Sequence, residues 1–448
     1  MFHINKGFKV LSIAFFCIFL LQSCSKSETL SSPAPIPTDN FQVPATSDIV
    51  MYEINLNALS STKNIQGVID RLDAIKDMGV NTIWLMPIYP VGVTNSFGSP
   101  YCVRNYTAVN PSMGTLEDLK LLVTKAHEKN IAVLLDWVAN HTSWDNVWMS
   151  NPSWYTHNTS GAIISPAGTN WNDVADLNFS NTEMRLAMID AMKYWVINAN
   201  IDGYRCDAAD YVPFDFWQQA LTSLNAIPNK HLIMLAEGSR ADHFNAGFQM
   251  NFSWDYMTAL KNVFSSNQNT QSLFTSNSNE NAAVPMGKRK LRFTTNHDES
   301  YIATPMSVFG SKNGALAASA ITIFLQGVPL LYSGQEVGTT SYSNNATINW
   351  NNNPDMLLAY KNMLQFYNTS AASKTGILTT FPDPNICVFE KKLANESVVV
   401  MVNTRSIPKF YSIPPSLQGI YTDALTNTAV TLSSSISLAA NKYLILKK

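Results

Sequence analysis

Gly203-Tyr204-Arg205-Cys206-Asp207 closes a short apolar run on an arginine and a carboxylate two residues apart. Side chains two apart in an extended strand share a face. Arg205 and Asp207 therefore project together from one strand end, while Cys206 turns to the opposite side as a packing residue. An isolated pair of this kind equally describes a structural ion bridge. The choice depends on how the other strands of the chain end.

Upstream, Ile49-Val50-Met51-Tyr52-Glu53-Ile54 has a strand pattern, Thr82-Ile83-Trp84-Leu85-Met86 is a second strand running into Pro87, and residues 131–137 form a third. Between the first two, Ile65, Val68, Ile69, Leu72, Ile75 and Met78 make an apolar stripe at helical spacing, stopped by Gly79. Thr115-x-x-Asp118 is a capping-box start to a helix with Leu119, Leu122, Val123 and Ala126 on its apolar face. Downstream, Met184, Met188, Met192, Trp195 and Val196 mark a helix packed on a core. Further strands are expected at 201–206, 232–236, 248–252, 291–295 and 328–333, and a last helix at 354–367. Continuous apolarity, as in 131–137, fits parallel strands covered on both faces. Strand and helix alternating about eight times predict an α/β fold, a (β/α)8 TIM barrel.

Two stretches break the rhythm. Residues 142–178, after the third strand, are rich in Trp, Asn, Ser and Pro and read as a short irregular excursion, domain B; loops this long are usually functional. Beyond residue 370 the chain shows short strands split by Pro, Gly and Asn at 386–390, 397–402, 410–413, 420–425 and 442–446. These predict a C-terminal antiparallel β-sandwich domain at 371–448 behind the barrel at 48–370.

At the amino end, Lys6 and Lys9 precede the apolar run 10–21, too short for a stable membrane span and suited to a signal peptide at 1–23. It ends in Leu21-Gln22-Ser23-Cys24, which resembles a bacterial lipoprotein processing site with Cys24 as the lipidated residue. That implies a lipid anchor in the cell envelope, at the outer membrane or cell surface; ordinary cleavage would give a secreted protein. Residues 24–47, rich in Ser, Pro and Thr, read as a flexible tether. Cys102, Cys206 and Cys387 are odd in number, widely spaced and free of C-x-x-C pairs, which suggests neither a disulfide framework nor a zinc site.

The 448 residues carry a net charge of −2 and no basic cluster beyond the first residues, which argues against a nucleic-acid partner. Charged residues make up 14%, low against roughly 25% for ordinary domains. Ten Trp and seventeen Tyr supply rings for stacking on flat ligands such as sugars. A monomer is the expected form.

A barrel of this kind places its active site at the carboxyl ends of the strands. Those ends carry Asp136 on the third strand, Arg205 and Asp207 on the fourth, Glu237 on the fifth, and His297 with Asp298 on the seventh. Carboxylates converging without a clear metal cluster suit acid and nucleophile chemistry on a glycosidic bond. Arg205 beside Asp207 should hold that carboxyl low and ionised. The apolar run 232–236 before Glu237 should push that group toward acid duty.

These segments resemble the signature of glycoside hydrolase family 13, the α-amylases: Asp136-Trp137-Val138-Ala139-Asn140-His141, Gly203 to Asp207, Leu235-Ala236-Glu237 and Thr295-Asn296-His297-Asp298, in order. The resemblance covers residues 48–370. It implies that Asp207 is the nucleophile, Glu237 the general acid and base, and Asp298 the stabiliser that binds ring hydroxyls. It also implies that Arg205 orients the nucleophile, that His141 and His297 bind the sugar, that Tyr101 lies beneath it, and that Asp136 supports the site. Calcium is implied at Asn140, Asp176 and the carbonyl of Tyr211, where the family commonly has His. The Lys-His pair of many starch-liquefying relatives is replaced by Asp210-Tyr211. The surroundings Asp207-Ala208-Ala209 and Asn296 to Glu299 look most like secreted lipoprotein amylases of Bacteroidetes. The implied activity is retaining hydrolysis of α-1,4 bonds in an α-glucan polysaccharide or maltooligosaccharide. Alternatives are a cyclomaltodextrinase, neopullulanase or transglycosidase of the same family, or a non-catalytic starch-binding surface protein.

Overall fold

The computed structural model describes residues 41–342 and 346–448. The expected signal peptide, Cys24 and most of the tether lie outside the described residues. Three strands open the fold, β1 (Met51–Ile54), β2 (Thr82–Leu85) and β3 (Ala132–Val138), and every residue in them is buried. Two three-residue strands follow in the excursion, β4 (His141–Ser143) and β5 (Val174–Asp176). Then come β6 (Gly203–Asp207), β7 (Ile233–Ala236), β8 (Met250–Phe252), β9 (Arg289–Arg292) and β10 (Val328–Tyr332). β1, β2, β3 and β6 to β10 close on themselves into a parallel barrel, as the alternating pattern predicts.

Two cores follow from strand alternation. Met51, Trp84, Leu134, Leu235, Phe252 and Leu291 point inward and fill the barrel. Tyr52, Ile83, Leu135, Cys206 and Met234 point outward under the helices. The capping box at Thr115 and Asp118 forms at the head of the helix Leu116–Glu128. The Met-rich stripe is the buried face of Thr182–Ala199, and Asn200 ends that helix in the left-handed conformation at φ 60°. The stripe from Ile65 to Met78 is not one helix: it splits into Ile65–Ile69 and Leu72–Asp77. The break falls at Arg71, whose guanidinium lies 3.3 Å from the centre of the Trp350 ring.

The carboxyl-terminal region is antiparallel: β11 (Ile377–Thr380), β12 (Ile386–Leu393), β13 (Glu396–Asn403), β14 (Lys409–Ser412), β15 (Gly419–Asp423), β16 (Ala429–Leu432), β17 (Ser435–Leu438) and β18 (Tyr443–Lys447). Six form a sheet in the order β11-β12-β13-β18-β15-β16, and β14 pairs with β17. Val388, Met401, Tyr411, Leu438 and Leu446 are packed between the two sheets. Arg405 rivets this region to the barrel. Its guanidinium donates to the carbonyls of Val263 at 2.6 Å, Gln268 at 2.8 Å, Asn267 at 3.2 Å and Pro384 at 2.6 Å, the first three at the end of the helix Trp254–Ser265.

Phe41 and Val43, at the end of the stretch that reads as tether, belong to the fold. Both pack against the barrel interior. Phe41 stacks on His127 with ring centres 4.1 Å apart, and His127 pairs at 2.8 Å with Asp202, just before β6 begins. They cover the floor of the barrel, at the amino ends of the strands. Among the described residues no helix is long and apolar enough to cross a membrane.

Candidate active site

The site is built at the carboxyl ends of β3, β6 and β7, and its centre is Arg205. Asp136 and Arg205 are register partners on adjacent strands. Arg205 Nη1 lies 2.8 Å from both Asp136 Oδ1 and Asp207 Oδ1, and Nη2 lies 2.9 Å from Glu237 Oε2. One fully buried guanidinium thus serves three carboxylates. Asp136 is saturated: its Oδ2 also accepts the Trp84 indole N–H and the Tyr101 hydroxyl, each at 3.0 Å. It supports the site and has no oxygen left to react.

Local backbone brings Asp207 and Glu237 together. Gly203 permits β6 to lie close on β7, where an added Cβ would stand 1.9 Å from the Ile233 carbonyl oxygen. After Asp207 the chain turns through Ala208 at φ 45°, a strained conformation for a residue with a Cβ. That turn aims the Ala208 N–H at Glu237 Oε2, 2.7 Å away. The Asp207 and Glu237 side chains keep 13% and 17% of their exposure, while Asp298 keeps 54%, so two carboxylates are recessed and the third opens on the mouth.

The expectation that Arg205 holds the Asp207 carboxyl low is not met. Burial raises it well above the usual carboxylate range; Arg205 pulls the other way, but Glu237, Asp136 and Asp298 add to the rise. Burial likewise raises Asp136 against the pull of Arg205. One guanidinium divided among three carboxylates does not offset the burial of Asp136 and Asp207.

His297 stands on the opposite wall. Its Nε2 lies 2.8 Å from the Tyr101 hydroxyl and 3.4 Å from Asp298 Oδ1, and the Tyr101 ring stacks on the imidazole at 5.2 Å. Its Nδ1 lies 2.6 Å from Glu53 Oε1. Burial pulls the imidazole down, but Glu53 and Asp298 more than offset it and raise it to about 9. Glu53 was missed by the sequence reading. The available signal was a lone carboxylate in Met51-Tyr52-Glu53-Ile54, whose four positions are all buried. A charge in such a place requires a partner. Trp84, read as strand and as part of a weaker segment of the family resemblance with no site role of its own, holds Asp136.

His141 and Asp176 face each other across the β4–β5 ladder. Burial lowers His141 to about 4, so it is neutral at pH 7, and its ring meets Trp171 at 5.5 Å. Tyr211, half exposed, packs its ring on the other side of Trp171 at 5.2 Å. For the calcium implied here, the donor set is one carboxylate, one amide and one carbonyl. Burial raises the Asp176 carboxyl and the Thr156 side chain offsets this by hydrogen bonding, with no cation among its neighbours. Asn140 is buried; its carbonyl accepts from the Leu177 N–H at 3.2 Å and its Nδ2 faces His141 Nδ1 at 3.2 Å, which turns the amide oxygen the other way. A carboxylate, an amide oxygen and a backbone carbonyl are the kind of oxygen donors a hard cation takes. Among the described residues no three His, Cys, Asp or Glu side chains cluster as a metal site.

Comparison with known proteins agrees with this architecture. The alpha-amylase catalytic-domain family matches residues 57–161 and 154–364. Alpha-amylase 3 of Dictyoglomus thermophilum is 27% identical over 332 residues, 64% of this chain and 64% of that protein. Alpha-amylase MalA of Haloarcula japonica is 24% identical over 416 residues, 88% of this chain and 61% of its own length. The chain thus spans under two thirds of these curated relatives. Among solved structures, the noncanonic maltogenic alpha-amylase AmyB of Thermotoga neapolitana superposes with a TM-score of 0.81 at 25% identity, covering 90% of this chain and 99% of that one. With its barrel matched nearly from end to end, this protein belongs to the alpha-amylase family of glycoside hydrolases, family 13.

Proposed function

We propose that this protein cleaves α-1,4-glucosidic bonds of starch, glycogen or maltodextrins with retention of configuration. The observation that carries the reading is the pairing of Asp207 and Glu237 on one guanidinium, with Glu237 held by the N–H of the residue that follows Asp207. Retention needs one carboxyl to attack and a second beside it to donate a proton.

In the first step the Asp207 carboxylate attacks the anomeric carbon as the bond to the leaving oxygen breaks, and Glu237 transfers its proton to that oxygen. A β-linked glycosyl ester on Asp207 results. In the second step Glu237 takes a proton from water, whose oxygen attacks the same carbon and frees Asp207. The first step requires Asp207 in the ionised form, toward which Arg205 pulls against burial, and requires Glu237 to carry the proton it donates. His297, Asp298 and His141 bind sugar hydroxyls, and the Tyr101 ring lies beneath the sugar.

Calcium, when bound by the Asp176 carboxylate, the Asn140 amide oxygen and the Tyr211 carbonyl, would supply structure rather than chemistry, pinning the excursion to the strand ends. Lipidation at Cys24 would anchor the protein in the envelope.

The test is an assay of the wild type, Asp207→Asn and Glu237→Gln on labelled maltooligosaccharides, with the product anomer followed by NMR. Each substitution should reduce kcat/KM by about 10³-fold or more, and the first-formed product should be the α anomer. No cleavage by the wild type, a β product, or near-normal turnover by Glu237→Gln overturns the reading. Products from soluble starch, pullulan and maltotriose distinguish α-1,4 hydrolysis from pullulan cleavage and glycosyl transfer.

A further inference from the structure

Asp210 occupies one of the two positions at which this chain departs from the Lys-His pair of starch-liquefying relatives, and its carboxylate is turned onto the loop that follows Glu237. Its Oδ2 accepts the Ser239 N–H at 3.0 Å and its Oδ1 the Arg240 N–H at 3.3 Å. His243 Nε2 stands 3.4 Å from the same Oδ1. Arg240 reaches back over the same turn, donating from Nη1 to the carbonyls of Asp210 at 2.9 Å and Val212 at 3.1 Å. Its remaining nitrogens hold Asp242 in a two-point pair at 3.0 Å each.

Gly238 lies where the two loops mesh. A Cβ there would stand 2.4 Å from Asp210 Oδ1 and 2.6 Å from its Cγ, so the residue after Glu237 has no room for a side chain. Glu237 is thereby fixed from both directions. Upstream, its carbonyl accepts the Ala209 N–H at 2.9 Å and its carboxylate the Ala208 N–H at 2.7 Å. Downstream, the next three residues are seated on Asp210.

We propose that Asp210 is a positioning residue for this reaction: by locking the backbone of residues 238–240 onto the turn after Asp207, it sets the reach of the Glu237 carboxyl toward the leaving-group oxygen. The proposal rests on the acid–base role assigned to Glu237 above. Displacing a catalytic group by about 1 Å costs up to about 100-fold in rate, and a clamp of this type acts on that scale. Its effect falls only on steps that need the Glu237 proton.

That selectivity provides the test. A maltooligosaccharide needs Glu237 to protonate the leaving oxygen, whereas α-maltosyl fluoride loses fluoride without protonation, and azide then captures the glycosyl enzyme without a base. The wild type, Asp210→Ala and Asp210→Asn are compared on both substrates, the fluoride with added azide, after melting curves establish the folded fraction. Asp210→Ala should lose about 10- to 100-fold in kcat/KM on the oligosaccharide and keep the fluoride-plus-azide reaction within about threefold. Asp210→Asn, whose amide oxygen still accepts an N–H, should recover part of the loss. Equal losses on both substrates would reduce Asp210 to a structural role, and no loss on the oligosaccharide would remove it altogether; either result overturns the proposal. A wild type that cleaves neither substrate would instead overturn the Glu237 reading on which it rests.

Discussion

Glu53 Oε1 lies 2.6 Å from His297 Nδ1, joining the first strand of the barrel to the head of the helix that follows the seventh. Tyr101 has one hydroxyl proton, and it points to Asp136 Oδ2. The Tyr101 oxygen must then accept from His297 Nε2, and Glu53 faces the other ring nitrogen. Imidazolium and carboxylate satisfy this chain of contacts with every donor matched to an acceptor.

The pH dependence follows from that pair. With His297 raised to about 9 against an ordinary value near 6.5, its charged form is stabilised in the fold. The associated stability is complete below about 6.5 and is lost as pH rises through about 9. Glu53→Gln removes the carboxylate that raises it. The alkaline limb of the kcat/KM profile should therefore move down by about one unit or more. An alkaline limb unchanged in Glu53→Gln would separate His297 from the profile.

Arg405→Ala should lower unfolding free energy by about 3 kcal/mol, because the lost donors are charge-assisted and the carbonyls they leave are partly buried. Denaturant melts of the two proteins give this difference. Activity of the folded protein should be retained, since the rivet lies far from the strand ends. A loss below about 0.5 kcal/mol would mean water replaces the guanidinium at no cost.

Chelation tests the cation. Treatment with EDTA followed by dialysis should lower the melting temperature, and added calcium should restore it, with Asp176→Asn abolishing the calcium response. An identical midpoint with and without chelator would leave Asp176 simply as a buried carboxyl.

For the anchor, wild-type protein expressed in a bacterial host should fractionate with membranes and Cys24→Ser should appear in the soluble fraction. Membrane association that survives Cys24→Ser would assign it to something other than lipid.

Most of the barrel was legible because its strands are short apolar runs, several of them carrying a charged residue at or just past the carboxyl end; β9, Arg289-Lys290-Leu291-Arg292, is the exception. Period-two alternation places Arg205 and Asp207 on one face, and the barrel rule for strand ends brings Asp136 to the same mouth. What escaped was of a different physical kind. β4 and β5 are only three residues long, and β16 and β17 are four residues long and half-exposed, so no apolar run announces them. The break at Arg71 coincides with its contact to Trp350, between residues far apart in the chain. The ionisation of Asp207 was misjudged because one neighbour, Arg205, is visible in the sequence while burial and three other carboxylates are not. Glu53 was overlooked since its partner lies across the barrel in a different motif.

Phe41 and Val43 under the barrel have a geometric consequence for any amino-terminal attachment. The described chain enters the barrel from beneath, at the pole opposite the carboxylates. Any attachment at the amino end therefore starts at the closed floor of the barrel, away from the carboxylates.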